Sequence, residues 1–519
     1  MAHSSVGYTR KMNLKVRAAR NVASNWLKLA VQLAVGFVLS PFILHKLGDA
    51  AFGIWVLIFS LTAYYSMFDF GVLAAVPRYV ARFVALRDEE ALTRFVNTSL
   101  AACSALGFLV LVVTGIGFHY LASLFKIPED FLGTARLLFL FVGADVALGF
   151  PLHVFGCVLE GYQSFERLNL THICAALLRG LLIFLALRLG GGLGMIALVT
   201  VAVNLLRHLA CAGIVFRMTP LRLGARYVDK SMLGELTGFG AVFFVMTIAE
   251  NLRFQSDAIV IGAFLSSTAI TYYAIGSKLA EYPASIVNSL AHVFTPMTSH
   301  YEASGDQEGL RRVFVAGNRA CALVIFPLCA ILVVLGKPII TVWVGAKYLS
   351  SYPILLVLMV SKTLFLAQSS STRMLVGLGR LRLLTLVITL DGAANLILSI
   401  VLLRHWGIIG VALGTAIPLT CTSLLFLPQH LCRLLNVPLR TFLRQAYLLP
   451  LGLTIPMTVL LLFSAQFFQP RNYAGLFLEV VSAGLVYGLS FLGCVLAGRP
   501  GRAGVRVRFA ELWHQASGR

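Results

Sequence analysis

The sequence predicts an all-α, polytopic membrane protein of about fourteen transmembrane helices, and three observations predict it. Of the 519 residues, 59% are hydrophobic and only 12% charged, whereas a water-soluble chain of this length would divide into several domains with far more polar surface. Apolar stretches of the roughly 20 residues needed to cross the hydrocarbon core of a bilayer recur from residue 22 to residue 497. Lysine and arginine gather in every second connection, as they do when alternate loops face the cytoplasm.

Taken in order, the spans are 22–44, 52–76, 97–119, 131–157, 170–189, 194–216, 236–262, 270–296, 314–336, 353–376, 383–403, 408–430, 446–465 and 476–497. The first is too long for the apolar core of a cleaved signal, and no small-residue cleavage site follows it. With the N-terminus inside, the inner segments hold 26 Lys and Arg, the outer ones 6, and the spans the remaining 10. Both termini are therefore expected in the cytoplasm. The net charge of +21 then reads as a topology signal and not as a nucleic-acid footprint. Arg499, Arg502, Arg506 and Arg508 form a basic tail within reach of anionic lipid head groups, although fixing topology is its simplest role.

The connections exclude much chemistry. The longest outer loop, 337–352, has 16 residues, too few for a catalytic domain outside the membrane, such as membrane glycosyltransferases and polysaccharide polymerases usually need. No phosphate-binding glycine loop or nucleophile elbow follows a strand. Eight of the nine cysteines fall within spans and Cys432 just inside the membrane, without CxxC or Cys/His metal spacing. They read as small apolar residues. The expectation is transport, with no catalytic residues, cofactor, metal or nucleic-acid partner.

The chain also repeats. "RDEEALTRFV" after span 2 matches "GDQEGLRRVF" after span 8, with Asp88, Glu90, Leu92 and Arg94 on Asp306, Glu308, Leu310 and Arg312 at an offset of 218. Leu47 and Ala51 map to Leu265 and Ala269 at the same offset; Gly161, Gly191 and Gly194 map to Gly377, Gly407 and Gly410 at 216. A near-constant register points to duplicated halves. Six spans per half give both halves one orientation, so their pseudo-twofold axis runs along the membrane normal. The expected organisation is a cytoplasmic tail 1–21, an N-lobe 22–216 of spans 1–6, and a C-lobe 236–430 of spans 7–12. Two further helices, 446–497, and a cytoplasmic tail 498–519 complete it.

Three spans carry polar stripes. Glu250, Arg253 and Asp257 stand at i, i+3 and i+7 in span 7, and Lys278, Glu281, Ser285, Asn288 and His292 share a face of span 8. Asn21, Asn25, Lys28 and Gln32 do so in span 1. An ionised side chain at the bilayer centre costs about 2.5–3.5 kcal/mol on insertion scales, so these faces belong against protein or a water-filled cavity. Glu250 with Arg253, Arg253 with Asp257, and Lys278 with Glu281 are candidate structural ion pairs. Lys28, Arg179, Arg207 and Lys362 have no acid one turn away on their own span, an excess of cations that suits an anionic substrate. His153, His172 and His208 read as ordinary packing residues, and His292 as better placed.

The stretch "KLGDAAFGIWVLIFSLTAYYSMFDFGVLAAVPRYVARF" resembles the second-span signature of polysaccharide-biosynthesis flippases of the multidrug/oligosaccharidyl-lipid/polysaccharide exporter superfamily. The residues that carry the resemblance are Leu47-Gly48, Phe52-Gly53-Ile54-Trp55, Asp69-Phe70-Gly71 and Arg78-Tyr79. "DAIVIG" (257–262), Tyr273-Ala274, Lys278-Leu279 and "GLGR" (377–380) follow in the second half. The resemblance implies two six-helix lobes around a V-shaped cationic cavity that opens alternately to each side. It further implies an oligosaccharide on undecaprenyl diphosphate as cargo, turned over in a bacterial inner membrane for O-antigen, capsule or exopolysaccharide synthesis. The partners expected with it are that substrate, the membrane lipids, and the polymerase and glycosyltransferases of the same pathway. A multidrug or organic-cation antiporter, favoured by acids such as Asp69, Asp145 and Asp391, and a lipid II flippase remain alternatives.

On the stripes, the substrate-binding candidates are Asn25, Lys28, Gln32, Arg253 and Lys278, with Lys28, Arg253 and Lys278 assigned to the diphosphate. The ion-coupling candidates are Glu250, Asp257 and Glu281. Glu281 leads because Pro283 follows it and can loosen span 8; the competing expectation is that Glu281 only neutralises Lys278.

Overall fold

The computed structural model describes residues 14–234, 240–468 and 470–496, and among the described residues the chain is helical without a strand. The basic tail 498–519 and the start of the N-terminal tail lie outside the described residues. The first half folds as α1 (Leu14–Leu47), α2 (Asp49–Ala63), α3 (Val72–Leu86), α4 (Glu89–Leu124), α5 (Glu129–Gly161), α6 (Phe165–Arg188) and α7 (Leu193–Met218). The second half begins with α8 (Gly240–Phe254), α9 (Ser256–Phe264), α10 (Ser267–Ala291), α11 (Phe294–Ala303) and α12 (Gln307–Val334). It continues with α13 (Gly336–Trp343), α14 (Tyr352–Leu366), α15 (Ser369–Gly377), α16 (Leu381–Cys421) and α17 (Leu427–Leu434). The last two helices are α18 (Leu439–Phe467) and α19 (Tyr473–Leu496).

Among the described residues, eleven helical runs are long and apolar enough to cross a membrane, so the expected count of fourteen is not reached on that measure. Two features account for the difference. Predicted spans 11 and 12 merge into one run, Leu381–Leu434, although Gly407 interrupts it with φ 56° and ψ −137°. There the chain folds back tightly: a Cβ on Gly414 would lie 2.5 Å from the Ser399 nitrogen. Predicted spans 7 and 8 are absent from the eleven. Span 7 is broken at Gln255 between α8 and α9, and α10 carries the polar stripe of span 8.

The repeat is built into the geometry. Asp88 caps α4 by accepting from the Ala91 N–H, and Asp306 caps α12 by accepting from the Gly309 N–H, the same device 218 residues on. A Cβ on Gly161 would strike Val80 and the Pro77 carbonyl, and one on Gly377 would strike Thr298 and the Thr295 carbonyl. Each pair of struck residues is again 218 apart. Both glycines let the C-terminal end of a helix press against a neighbouring one, α5 on α3 and α15 on α11. The connector between the halves is pinned to α4: Asn97 donates to the Arg222 carbonyl and accepts from the Gly224 N–H, each within 2.9 Å. Hydrogen bonds from Ser231, together with Arg94, hold the Asp229 carboxyl of this connector below its usual range.

The two halves meet along α2 and α10. A Cβ on Gly53 would lie 1.8 Å from the Ser267 carbonyl oxygen and 3.1 Å from Thr271 Oγ1. Gly53 and Thr271 are themselves 218 apart, as residues facing each other across a pseudo-twofold axis should be. Toward one end of this seam the contacts multiply. Asp49 receives the Tyr348 hydroxyl at 2.5 Å and Lys347 Nζ at 2.6 Å, and Thr271 Oγ1 donates to the Asp49 carbonyl at 2.6 Å. Trp343 Nε1 donates to the Phe37 carbonyl at 2.7 Å while its ring stacks on Phe37. Lys126 bonds the Phe264 carbonyl at 2.7 Å. All of these lie at the Lys/Arg-poor end of the molecule. At the opposite end, the ion pairs of Arg94, Arg311 and Arg312 each stay within one half.

Candidate functional site

The break at Gln255 explains how a span tolerates Glu250, Arg253 and Asp257. The Arg253 carbonyl, beside the break, accepts from Asn395 Nδ2 at 2.8 Å, and Ser256 Oγ returns to the Leu252 carbonyl at 2.6 Å. The charges themselves do not pair along the stripe. Arg253, 4% exposed, lies 3.0 Å from Asp391 on α16, and its guanidinium sits 4.4 Å above the Phe365 ring. Thr422 donates to the other Asp391 oxygen. Asp257, also buried, accepts from the Tyr273 hydroxyl and from Thr415 Oγ1 at 2.9 Å, with Lys362 in electrostatic reach. Lys362, which has no acid on its own span, therefore finds one on another helix. Two buried charge clusters result, both within the second half. Asp257 receives the hydrogen bonds that make a buried charge tolerable, whereas Arg253 and Asp391 meet as opposite charges, with Arg253 Nε and Nη2 and Asp391 Oδ2 making no hydrogen bond among the described residues.

Other charges face open space. Glu250 is exposed, with Arg373 on α15 and Arg253 as its nearby cations. Next to it, Asn251 ties the halves together: its Nδ2 reaches Ser66 Oγ at 3.1 Å and its carbonyl accepts from the Tyr64 hydroxyl at 3.2 Å. Lys278 and Glu281 are paired at 3.6 Å with both side chains half exposed. Such a pair contributes about 0–1 kcal/mol and is easily broken. His292, exposed, stands just past the end of α10. Of the span 1 stripe, Asn25 accepts from Asn169 at 2.8 Å, Lys28 is half-buried with Glu160 as its electrostatic partner, and Gln32 is exposed. The structure thus separates the eight candidates. Arg253 and Asp257 are enclosed, whereas Glu250, Lys278, Glu281 and Gln32 are open.

Sequence reasoning named Arg179 and Arg207 as cations without an acid on their own span, but not the cluster that they form with histidines inside the first half. Arg179 donates to Asn204 at 2.5 Å, and Asn204 donates to Asp145 at 2.6 Å. Arg207 donates to His208 Nε2 at 2.8 Å, and the His153 and His208 ring centroids are 6.0 Å apart. His172 lies in the electrostatic field of Arg207, Lys28, His153 and Arg179. The three histidines therefore converge instead of packing separately. The signal was present as spacing: Asn204, Arg207 and His208 stand at i, i+3 and i+4, and His172 and Arg179 at i and i+7. Arg373 was also missed, because its own helix carries no other charge.

Fold and site together define a polytopic helical membrane protein of two related halves, with charged groups held at and beside their seam. The sequence profile described as "Polysaccharide biosynthesis protein" matches residues 44–353, and the chain belongs to that family. It is 23% identical over 436 residues to the uncharacterized membrane protein EpsK of Bacillus subtilis, covering 82% of this chain and 85% of that one. It is 30% identical over 155 residues to the teichuronic acid biosynthesis protein TuaB of the same organism, 29% and 31% of the two chains. Among solved structures, lipid II flippase MurJ in an inward closed conformation superposes with a TM-score of 0.71 at 14% identity, covering 92% of this chain and 98% of that one. An inward-facing multidrug resistance transporter of the MATE family gives 0.66 at 15%, covering 79% and 95%. These likenesses establish the fold of the exporter superfamily.

Proposed function

We propose that this protein is a flippase that carries an undecaprenyl diphosphate-linked oligosaccharide across the cytoplasmic membrane for surface polysaccharide synthesis, by alternating access of its two halves. One observation carries the reading: the halves are latched at the Lys/Arg-poor end through Asp49, Lys347, Tyr348 and Trp343, while exposed charges stand along the seam behind the latch. With the basic loops in the cytoplasm, this is a state closed to the outside. Lys278, Arg373, Gln32, Asn25 and Lys28 supply cations and amides for a diphosphate and sugars. The acids that would favour a drug-cation exporter are engaged: Asp69 caps the turn into α3 by accepting from Leu73, Asp145 holds Asn204, and Asp391 holds Arg253.

Coupling falls to Asp257 in this reading, with Glu250 and Glu281 as weaker candidates. Asp257 bridges α9, α10 and α16 through Tyr273 and Thr415, so a change in its charge bears on how three helices pack. Among the described residues, Glu281 forms one ion pair, with the half-exposed Lys278. The test is transport of the labelled lipid-linked oligosaccharide in proteoliposomes with an imposed proton or monovalent-cation gradient. One of these gradients should accelerate the wild type at least several-fold, with the response lost in Asp257→Asn and kept in Glu281→Gln. A wild type indifferent to both gradients would remove coupling through a carboxylate from the account.

A further inference from the structure

We propose that the cytoplasmic ends of α12, α17 and α18 hold the head group of an anionic phospholipid of the inner leaflet, a site away from the seam that does not rest on the transport reading. Arg319 lies inside the span expected at 314–336, about 7 Å past its cytoplasmic start. No acid among the described residues acts on it. Its Nε donates to the Gln445 carbonyl on α18 at 2.7 Å, and that bond is exposed. At this depth an exposed surface of the bundle faces lipid, so the charge calls for an anion that lipid itself brings. Arg311, two turns earlier on α12, uses its Nε in the same way, on the Leu435 carbonyl at 2.8 Å. Both bonds leave the forked Nη groups to other partners. Arg311 Nη1 stands 3.8 Å from Glu308, whereas Arg319 forms no ion pair among the described residues. The surface beside them adds charge and a hollow. Arg440 and Arg444, exposed and one turn apart on α18, are like charges that repel each other, and Arg433 is exposed in the last turn of α17. A cavity of about 520 Å³ opens where α17 turns into α18, with Gln429, Arg433, Asn436 and Leu439 in its wall. A phosphodiester suits guanidinium forks, the two amides can bond a glycerol head group, and the exposed Leu439 and Leu443 lead toward the acyl chains. Basic pockets between helices on the cytoplasmic side are where anionic head groups bind. Phe314 of α12 and Phe442 of α18 stack at 4.3 Å beneath this surface, so the two helices that carry the arginines are held together without the lipid.

The experiment places a fluorophore on Leu448→Cys, exposed one turn beyond Arg444 on α18, in an otherwise cysteine-free full chain. Its contact quenching by nitroxide-labelled acyl chains is read in phosphatidylcholine nanodiscs. At equal mole fraction, labelled phosphatidylglycerol should quench several-fold more than labelled phosphatidylcholine, and unlabelled phosphatidylglycerol should relieve the quenching. That preference should fall at least fivefold in Arg319→Gln and in Arg440→Gln combined with Arg444→Gln, and only partly in Arg319→Lys. Arg82→Gln, an exposed arginine of α3 in the first half, should leave it unchanged. Melting curves check each variant, and the α18 pair, exposed at both positions, keeps the test decisive where Arg319→Gln fails to fold. Equal quenching by both lipids in the wild type overturns the site, as does a preference unaltered in the folded variants. An equal loss in Arg82→Gln would mark diffuse attraction to a basic face and would also overturn it. Relief of the quenching by inorganic phosphate at constant ionic strength would assign the arginines to a soluble anion and overturn the lipid assignment.

Discussion

Replacing Arg253 by alanine is expected to cost about 3–5 kcal/mol of stability, because it leaves Asp391 charged, buried and unpaired. The pair is 3.0 Å apart with both side chains almost fully enclosed, and it joins α8 to α16 just before the break at Gln255. Arg253→Lys keeps the charge but loses the planar face that lies over Phe365, so a smaller loss is expected. Arg253→Met combined with Asp391→Leu removes both charges, and such replacements are often neutral or stabilising. If Arg253 is a strut, the double variant melts near the wild type and transports. If it melts normally but transports nothing, Arg253 itself touches the substrate, as its place on the span 7 stripe first suggested.

Gly53→Ala is expected to disable the latched state. The new methyl group would sit 1.8 Å from the Ser267 carbonyl oxygen, a backbone atom that cannot rotate away. Overpacking of this kind costs about 1–3 kcal/mol, which converts to roughly a 5- to 150-fold shift between two states. The shift should appear as faster maleimide labelling of an Ala50→Cys reporter at the latched end, on a cysteine-free background, together with a comparable loss of transport. Unchanged labelling would show that α2 and α10 do not form the seam that opens.

Much of this fold was legible because duplication and lipid leave strong marks. The offset of 218 found Asp88 and Asp306 as equivalent residues, and they cap equivalent helices. The span count was less legible at span 7, since hydropathy does not register a backbone break such as Gln255; the boundary read between spans 11 and 12 does coincide with the interruption at Gly407. Charge partners were the least legible part. The stripe placed Arg253 one turn from Glu250 and Asp257, yet its partner Asp391 lies 138 residues away. Helical spacing reveals which residues share a face but not which helix covers that face. Lys362 with Asp257 and Asp49 with Lys347 were invisible for the same reason. Lys278 and Glu281, a pair within one helix, could be read directly.

Alternating access of a lipid-linked sugar is tested most directly by locking the latch during transport. Cysteines introduced as Asp49→Cys and Tyr348→Cys, in a cysteine-free chain, sit where a hydrogen bond of 2.5 Å joins the two halves and can be bridged by a short, reducible bismaleimide. In proteoliposomes loaded with an undecaprenyl diphosphate-linked oligosaccharide, protein-dependent transfer of the sugar between leaflets is read by its reaction with an impermeant oxidant. The account predicts transfer before bridging, near-complete arrest after it, and recovery on reduction. Transfer at the unbridged rate in the locked protein, or no transfer above empty liposomes by the unlocked one, would contradict it.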